Sequence, residues 1–184
     1  MKVDTARQKR HLMVAILVAL ALGLVPSTSL AQSRYAFTVG LMGGLGGSTD
    51  AEPDTDLNNF GLQALFAMDL DIHTMFSVRA GQLDLETDAG ELYDTELAYV
   101  TLSGEYRMTA GFYESGLFLG LGYYDLNGAP LVPGDSALGL TLGTTGDFRL
   151  TDRFSLLVEI AGHYADLDHA QFFLHGHAGV AFHF

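Results

Sequence analysis

Three histidines and a glutamate first suggest chemistry. Glu159, His163, His175 and His177 lie at even spacings within two segments, so an extended chain puts each segment's members on one face. Imidazoles beside a carboxylate can ligate a transition metal or serve as a general base next to a serine. They can equally be neutral rings hydrogen-bonded inside a polar interior, which needs neither metal nor catalysis. We take that simpler reading: no metal, cofactor or catalytic residue is expected, and Glu159, His163, His175 and His177 remain the candidates for a metal if one is bound. A second set, Asp69, Arg79, Glu105, Arg107, Glu114, Asp147 and Arg149, also falls on inward phases. Charges buried singly are costly, so these should pair into an arginine–carboxylate network. Antiparallel turns should bring Asp69 to Arg79, Glu105 and Arg107 to Glu114, and Asp147 beside Arg149. A network of this kind either satisfies a polar interior or gates a narrow path through it.

Acids gather between the apolar segments: Asp50, Glu52, Asp54 and Asp56; Glu86, Asp88, Glu91, Asp94 and Glu96; Asp125 and Asp135; Asp166 and Asp168. Calcium needs six to eight oxygens, but D-x-E-x-D-x-D lacks the central glycine and closing glutamate of an EF-hand loop. The simple reading is a solvated rim. The functional one is a rim that binds divalent cations and, through them, anionic groups outside the protein.

Composition narrows the setting. Residues 1–31 read as a secretory signal: Lys2, Arg7, Lys9 and Arg10, then a fourteen-residue apolar run from Leu12 to Val25, Pro26, and Ser29-Leu30-Ala31 before Gln32. That run is short of the roughly 20 residues that a transmembrane helix needs. Four of the nine basic residues and one of the 22 acids fall in this segment, so residues 32–184 carry 5 basic and 21 acidic side chains, formally −16. Such a chain repels nucleic acid. There is no cysteine, hence no disulfide or thiolate chemistry.

The elements that must position these residues alternate with period two. Eight strands are expected, near 34–45, 57–69, 74–85, 93–108, 112–124, 137–150, 154–165 and 171–184. One face is apolar and the other small or polar, and tight turns alternate with longer loops. In the third strand the apolar phase shifts near Gln82, where Leu83 and Leu85 take over, and a bulge is expected there. Tyr35, Phe76, Tyr106, Tyr113, Phe148, Phe154, Phe182 and Phe184 fall near the turn ends of the apolar faces, and Phe60, Tyr123, Tyr164 and Phe172 near the loop ends. Apolar faces with aromatics at the strand ends fit a wall facing lipid better than the inward core of a lipocalin-like barrel. The expectation is an all-β protein: one antiparallel, up-and-down, eight-stranded transmembrane barrel over residues 32–184.

On this pattern, and on the ending with Phe184, Phe182, Val180 and Ala178 at alternate positions, the chain resembles the small eight-stranded outer-membrane barrels of the OmpA and OmpX type. With its last strand at the final residue, the stand-alone OmpX-like form is the expectation. The resemblance implies a bacterial outer-membrane location and contacts with membrane lipid and lipopolysaccharide. It also implies delivery by periplasmic chaperones and an assembly signal in Phe182 and Phe184 read by the barrel-assembly machinery. A monomer is expected. Some such barrels modify lipid A with a histidine, a serine and an acid at the external rim. No such site carries over, since Tyr164 and Ala165 follow His163 and no serine lies at the outer ends of the last two strands. A structural or loop-mediated interaction role is therefore expected. A narrow channel is the alternative, and a lipid A-modifying enzyme is further off.

Overall fold

The structure is a computed structural model that describes residues 37–51, 56–87, 92–110 and 113–184, with only the backbone of Thr109 and Ala110. The expected signal segment, Tyr35 and four of the loop acids (Glu52, Asp54, Asp88, Glu91) lie outside the described residues. Eight strands follow one another: β1 (Phe37–Ser48), β2 (Asn59–Asp69), β3 (Thr74–Leu85), β4 (Thr95–Ala110), β5 (Tyr113–Asn127), β6 (Asp135–Arg149), β7 (Phe154–Ala165) and β8 (Phe172–His183). Each pairs antiparallel with the next, and β8 pairs with β1, so the sheet closes on itself. The connections alternate. Ten, nine, seven and six residues separate the strands at 49–58, 86–94, 128–134 and 166–171, against four, two and four at 70–73, 111–112 and 150–153.

Alternation along each strand produces the two faces. In β7, Ser155, Leu157, Glu159, Ala161 and His163 are buried while Phe154, Leu156, Val158 and Ile160 are not. The outer wall carries exposed Leu41, Leu117, Leu119, Leu121, Leu140 and Ile160. An apolar belt of this extent is foreign to a water-facing surface. It suits hydrocarbon, where a closed barrel also leaves no strand edge unpaired.

The lumen of an eight-stranded barrel is barely wide enough for its own side chains. Here the large inward residues sit directly opposite glycines. Tyr99 pairs across the sheet with Gly81, Phe118 with Gly143, His175 with Gly46 and His177 with Gly44. A Cβ on Gly143 would overlap both the Phe118 ring and the Ile160 carbonyl.

The expected bulge near Gln82 is absent. β3 pairs with β4 without interruption from Thr74↔Tyr106 to Leu85↔Thr95. Leu83 and Leu85 therefore point inward, each 1% exposed, and the apolar residues change side with no change in the pleat. At the same level Leu97 and Leu126 are inside. Asp84 is paired with Glu96, and Asp125 with Ala98, on the outward phase. The reason is environmental. β4, β5 and β6 run 16, 15 and 15 residues, against 11 or 12 for the others. At their loop ends acids replace leucines on the outer face, as suits contact with water, and a dry core forms within. The inner face is thus not small or polar along its whole length. It is capped at the loop end by an apolar cluster.

The turn at 70–73 is fixed by Asp71, whose Oδ1 accepts the backbone N–H of His73 and of Thr74, both at 2.7 Å. The His73 N–H, foremost, holds the Asp71 carboxyl below the usual carboxylate range. Its support for the turn is complete above about pH 3.9, the ordinary aspartate value, and is lost as pH falls through the lower folded-state value. Carboxyl NMR of the refolded protein should place the Asp71 midpoint below that of a solvated aspartate. Gly143→Val should destabilise the barrel by about 1–3 kcal/mol through overpacking. The check is the temperature at which the heat-modifiable gel band of folded barrel is lost.

Candidate functional site

The residues singled out by type converge on the lumen, which is layered along its axis. At the loop end Leu83, Leu85, Leu97, Leu126, Leu167 and Phe173, with Tyr99 and Tyr124 beneath, form one buried cluster. Leu97 and Tyr124 have no solvent exposure. Each inward leucine comes from a strand end or loop that alternation aims at the axis.

Below this plug lie the histidines, 2–4% exposed. β7 supplies His163 and β8 supplies His175 and His177. The Tyr124 hydroxyl is 2.8 Å from His163 Nδ1, and His163 Nε2 is 3.3 Å from His175 Nδ1. His175 Nε2 then faces Glu159 Oε1 at 3.5 Å. The His177 ring stacks on that of His175 with centroids 4.1 Å apart, and neither His177 nitrogen has a hydrogen-bond partner. The groups are strung in line. His175 turns one nitrogen to His163 and the other to Glu159, so a single ion could not use both contacts. Among the described residues, no three histidine or acidic side chains are grouped to hold a metal ion.

Glu159 is the lower end of this line and the upper end of the charge network. It accepts Gln63 Nε2 at 2.8 Å and Arg79 Nε at 2.9 Å. Arg79, with no exposure, also donates to Ser77 and Ser103 Oγ at 2.6 and 2.8 Å and to Glu105 Oε2 at 3.1 Å. Its guanidinium lies 3.8 Å over the Phe118 ring. Beyond it, Glu105 contacts Arg107 at 3.3 Å, Arg107 contacts Glu114 at 3.4 Å, and Glu114 contacts Arg149 at 2.9 Å.

Asp69 does not meet Arg79 as expected. It lies opposite Met75 in the β2–β3 register, Arg79 lies opposite Leu65, and Asp69 instead approaches Arg107 at 3.8 Å. Arg79 reaches across the lumen to Glu159, 80 residues away, because barrel closure puts β3 and β7 on facing walls. Arg107 with Glu114 is as expected. Asp147 and Arg149 part company: Arg149 goes to Glu114, while Asp147 Oδ2 lies 3.5 Å from His183 Nε2. His183 also contacts Thr38 Oγ1 at 2.9 Å and Ser155 Oγ at 2.8 Å. Tyr99, Tyr124, Gln63, Ser77 and Ser103 join the site without being marked by residue type. Their inward phase was the available signal.

Phe182 and Phe184 form the turn-end seam. The Phe184 ring stacks at 5.7 Å on Phe37 and 5.9 Å on Phe182, and the backbones of Phe37 and Phe184 exchange hydrogen bonds of 3.0 and 2.9 Å. Of the acids between strands, Asp84, Glu86, Asp94 and Glu96 line a shallow recess of about 280 Å³ with Asn127. Asp94 there accepts the Thr87 N–H at 2.9 Å and Glu96 accepts Asn127 Nδ2 at 3.0 Å.

This fold is that of the small outer-membrane β-barrels. Among solved structures the chain is similar to Neisserial surface protein A (TM-score 0.60, 14% identity, 83% of this chain and 98% of that one). It is likewise similar to the outer membrane protein OprG from Pseudomonas aeruginosa (0.60, 12%, 83% and 99%). Ail, the attachment invasion locus protein of Yersinia pestis, aligns with TM-score 0.52 at 14% identity over 81% of this chain and 97% of that one. At such identities the likeness is one of fold. No protein-family model matches the chain, and no curated protein matches it in sequence.

Removing Arg79 would leave Glu105 and Glu159 buried without their principal partner. Arg79→Met should lower stability by about 3–5 kcal/mol, measured by urea unfolding of the folded barrel. Adding Glu105→Gln and Glu159→Gln should restore most of the loss.

Proposed function

We propose that this protein is a sealed outer-membrane barrel: a non-enzymatic structural element of the bacterial envelope that holds its loops outside the membrane for contact with a partner. The observation that carries this reading is the filled lumen. The apolar plug, Tyr124, Phe118 and Arg79 occupy successive levels of an interior with no width to spare. The serine–histidine contact at the turn end, Ser155 with His183, is buried on both sides, which gives a substrate no approach.

Residues 1–31 direct export in this reading, and Phe182 and Phe184 present the assembly signal at the strand that closes the barrel. Chaperones and the assembly machinery are partners on the way to the membrane, and lipid and lipopolysaccharide are partners within it. The loops' character argues for cationic contacts. Ail has been crystallised with sucrose octasulfate, a heparin analogue. Here the loop end carries Asp84, Glu86, Asp94, Glu96, Asp125 and Asp135, which repel a sulfated polyanion and favour a basic partner or divalent cations bridging to lipopolysaccharide phosphates.

The refolded protein should show no steady conductance in planar bilayers near neutral pH. An ohmic current at that pH that changes on Arg107→Ala would overturn the sealed barrel in favour of a channel.

A further inference from the structure

The histidine layer is more than the seal requires, since apolar residues would fill that level at lower risk. Its hydrogen bonds have a direction. If Tyr124 donates to His163 Nδ1, then His163 Nε2–H donates to His175 Nδ1, and His175 Nε2–H points at the Glu159 carboxylate. The reverse order would leave a bare His175 lone pair facing that carboxylate. In the favoured order both nitrogens of His163 and Nδ1 of His175 are hydrogen-bonded, His175 Nε2 faces the Glu159 carboxylate at 3.5 Å without a hydrogen bond, and neither nitrogen of His177 has a partner.

A proton added to this layer is poorly received. On His177 it creates a cation 3% exposed, with no hydrogen-bond partner for either N–H and the His175 ring stacked at 4.1 Å. On His163 or His175 it breaks a bond of the line. The groups facing the trio from the surrounding strands offer little compensation. β2 brings Gln63, which is uncharged, and β3 brings Arg79, which repels. Tyr99 and Tyr124 come from β4 and β5, and Thr141 from β6. β7 brings Glu159, already engaged by Arg79 and Gln63, and β1 only Gly44 and Gly46. On His175 the cation faces Glu159 at 3.5 Å, but on His177 it has no partner, and water is what can solvate it there. The floor of the plug rests on these rings, with Tyr99 centroids 5.0 Å from His163 and 5.9 Å from His175, and Phe173 opposite His163 in the register.

We propose that His163, His175 and His177 form an acid-operated latch: neutral, they keep the lumen dry, and protonated, they admit water and convert the sealed barrel into a conducting one. This rests on the sealed reading above. The dry state binds fewer protons than the wet one, so falling pH favours the wet one. The latch is internal to the protein and needs no ligand.

The test is conductance of the refolded protein in planar bilayers at about pH 7.5 and about pH 5, spanning the histidine range, for wild type, His177→Gln and His175→Gln/His177→Gln. Heat-modifiable gel mobility at both pH values confirms that each variant is folded, and His163→Gln substitutes for a variant that is not. The expected result is a silent wild type at the higher pH, a current at the lower pH at least about tenfold above it, and loss of that current in the glutamine variants. A wild type silent at both values overturns the latch and leaves the sealed barrel standing. A wild type conducting equally at both overturns the sealed barrel itself. Acid current that persists undiminished in every folded glutamine variant overturns the assignment to these histidines.

Discussion

Arg79 is the constraint on which the interior depends. A guanidinium with no solvent exposure is tolerable only when its donors are taken and its charge is met, and here two carboxylates, two hydroxyls and an aromatic face surround it. Those partners come from β3, β4, β5 and β7, so one side chain fastens walls that are distant in sequence. Glu159 then orients the histidine line above, and Glu105 continues the network below. Both follow from Arg79's need for two anions.

The second organising fact is that polarity inverts along continuous strands. Within the apolar band the wall is greasy outside and polar inside. At the loop ends of β3, β4 and β5 it is acidic outside and leucine-lined inside. One pleat serves both arrangements because the side chain period of two does not depend on which face is wet. The lumen therefore has a dry end and a charged end. The charged end opens toward the turns, where Asp69 and Arg149 are partly exposed.

The fold was largely legible in the sequence, and the site only in part. Strand number, alternating connections and the facing of residues such as Leu119 or His175 follow from a two-residue period and need no tertiary information. Local pairs near a turn, such as Arg107 with Glu114, were also within reach, because a two-residue turn leaves little freedom of register. The Asp69–Arg79 pairing failed because residues that face the same way across a hairpin still need matched distances from the turn. These two are four residues out of step: Arg79 pairs with Leu65 and Asp69 with Met75. The shift at Gln82 mimics a bulge in the sequence because the sequence reports the side on which apolar residues lie, not the solvent that each side meets.

The sequence by itself determined the alternation, and through it which side chains share a face and that eight such segments close into a barrel. Tertiary structure alone decided who meets across the lumen, including Arg79 with Glu159 and Tyr124 with His163. The physical reason is that closure and strand stagger set the level of each side chain on the axis. Those are properties of all eight strands together and of none taken singly.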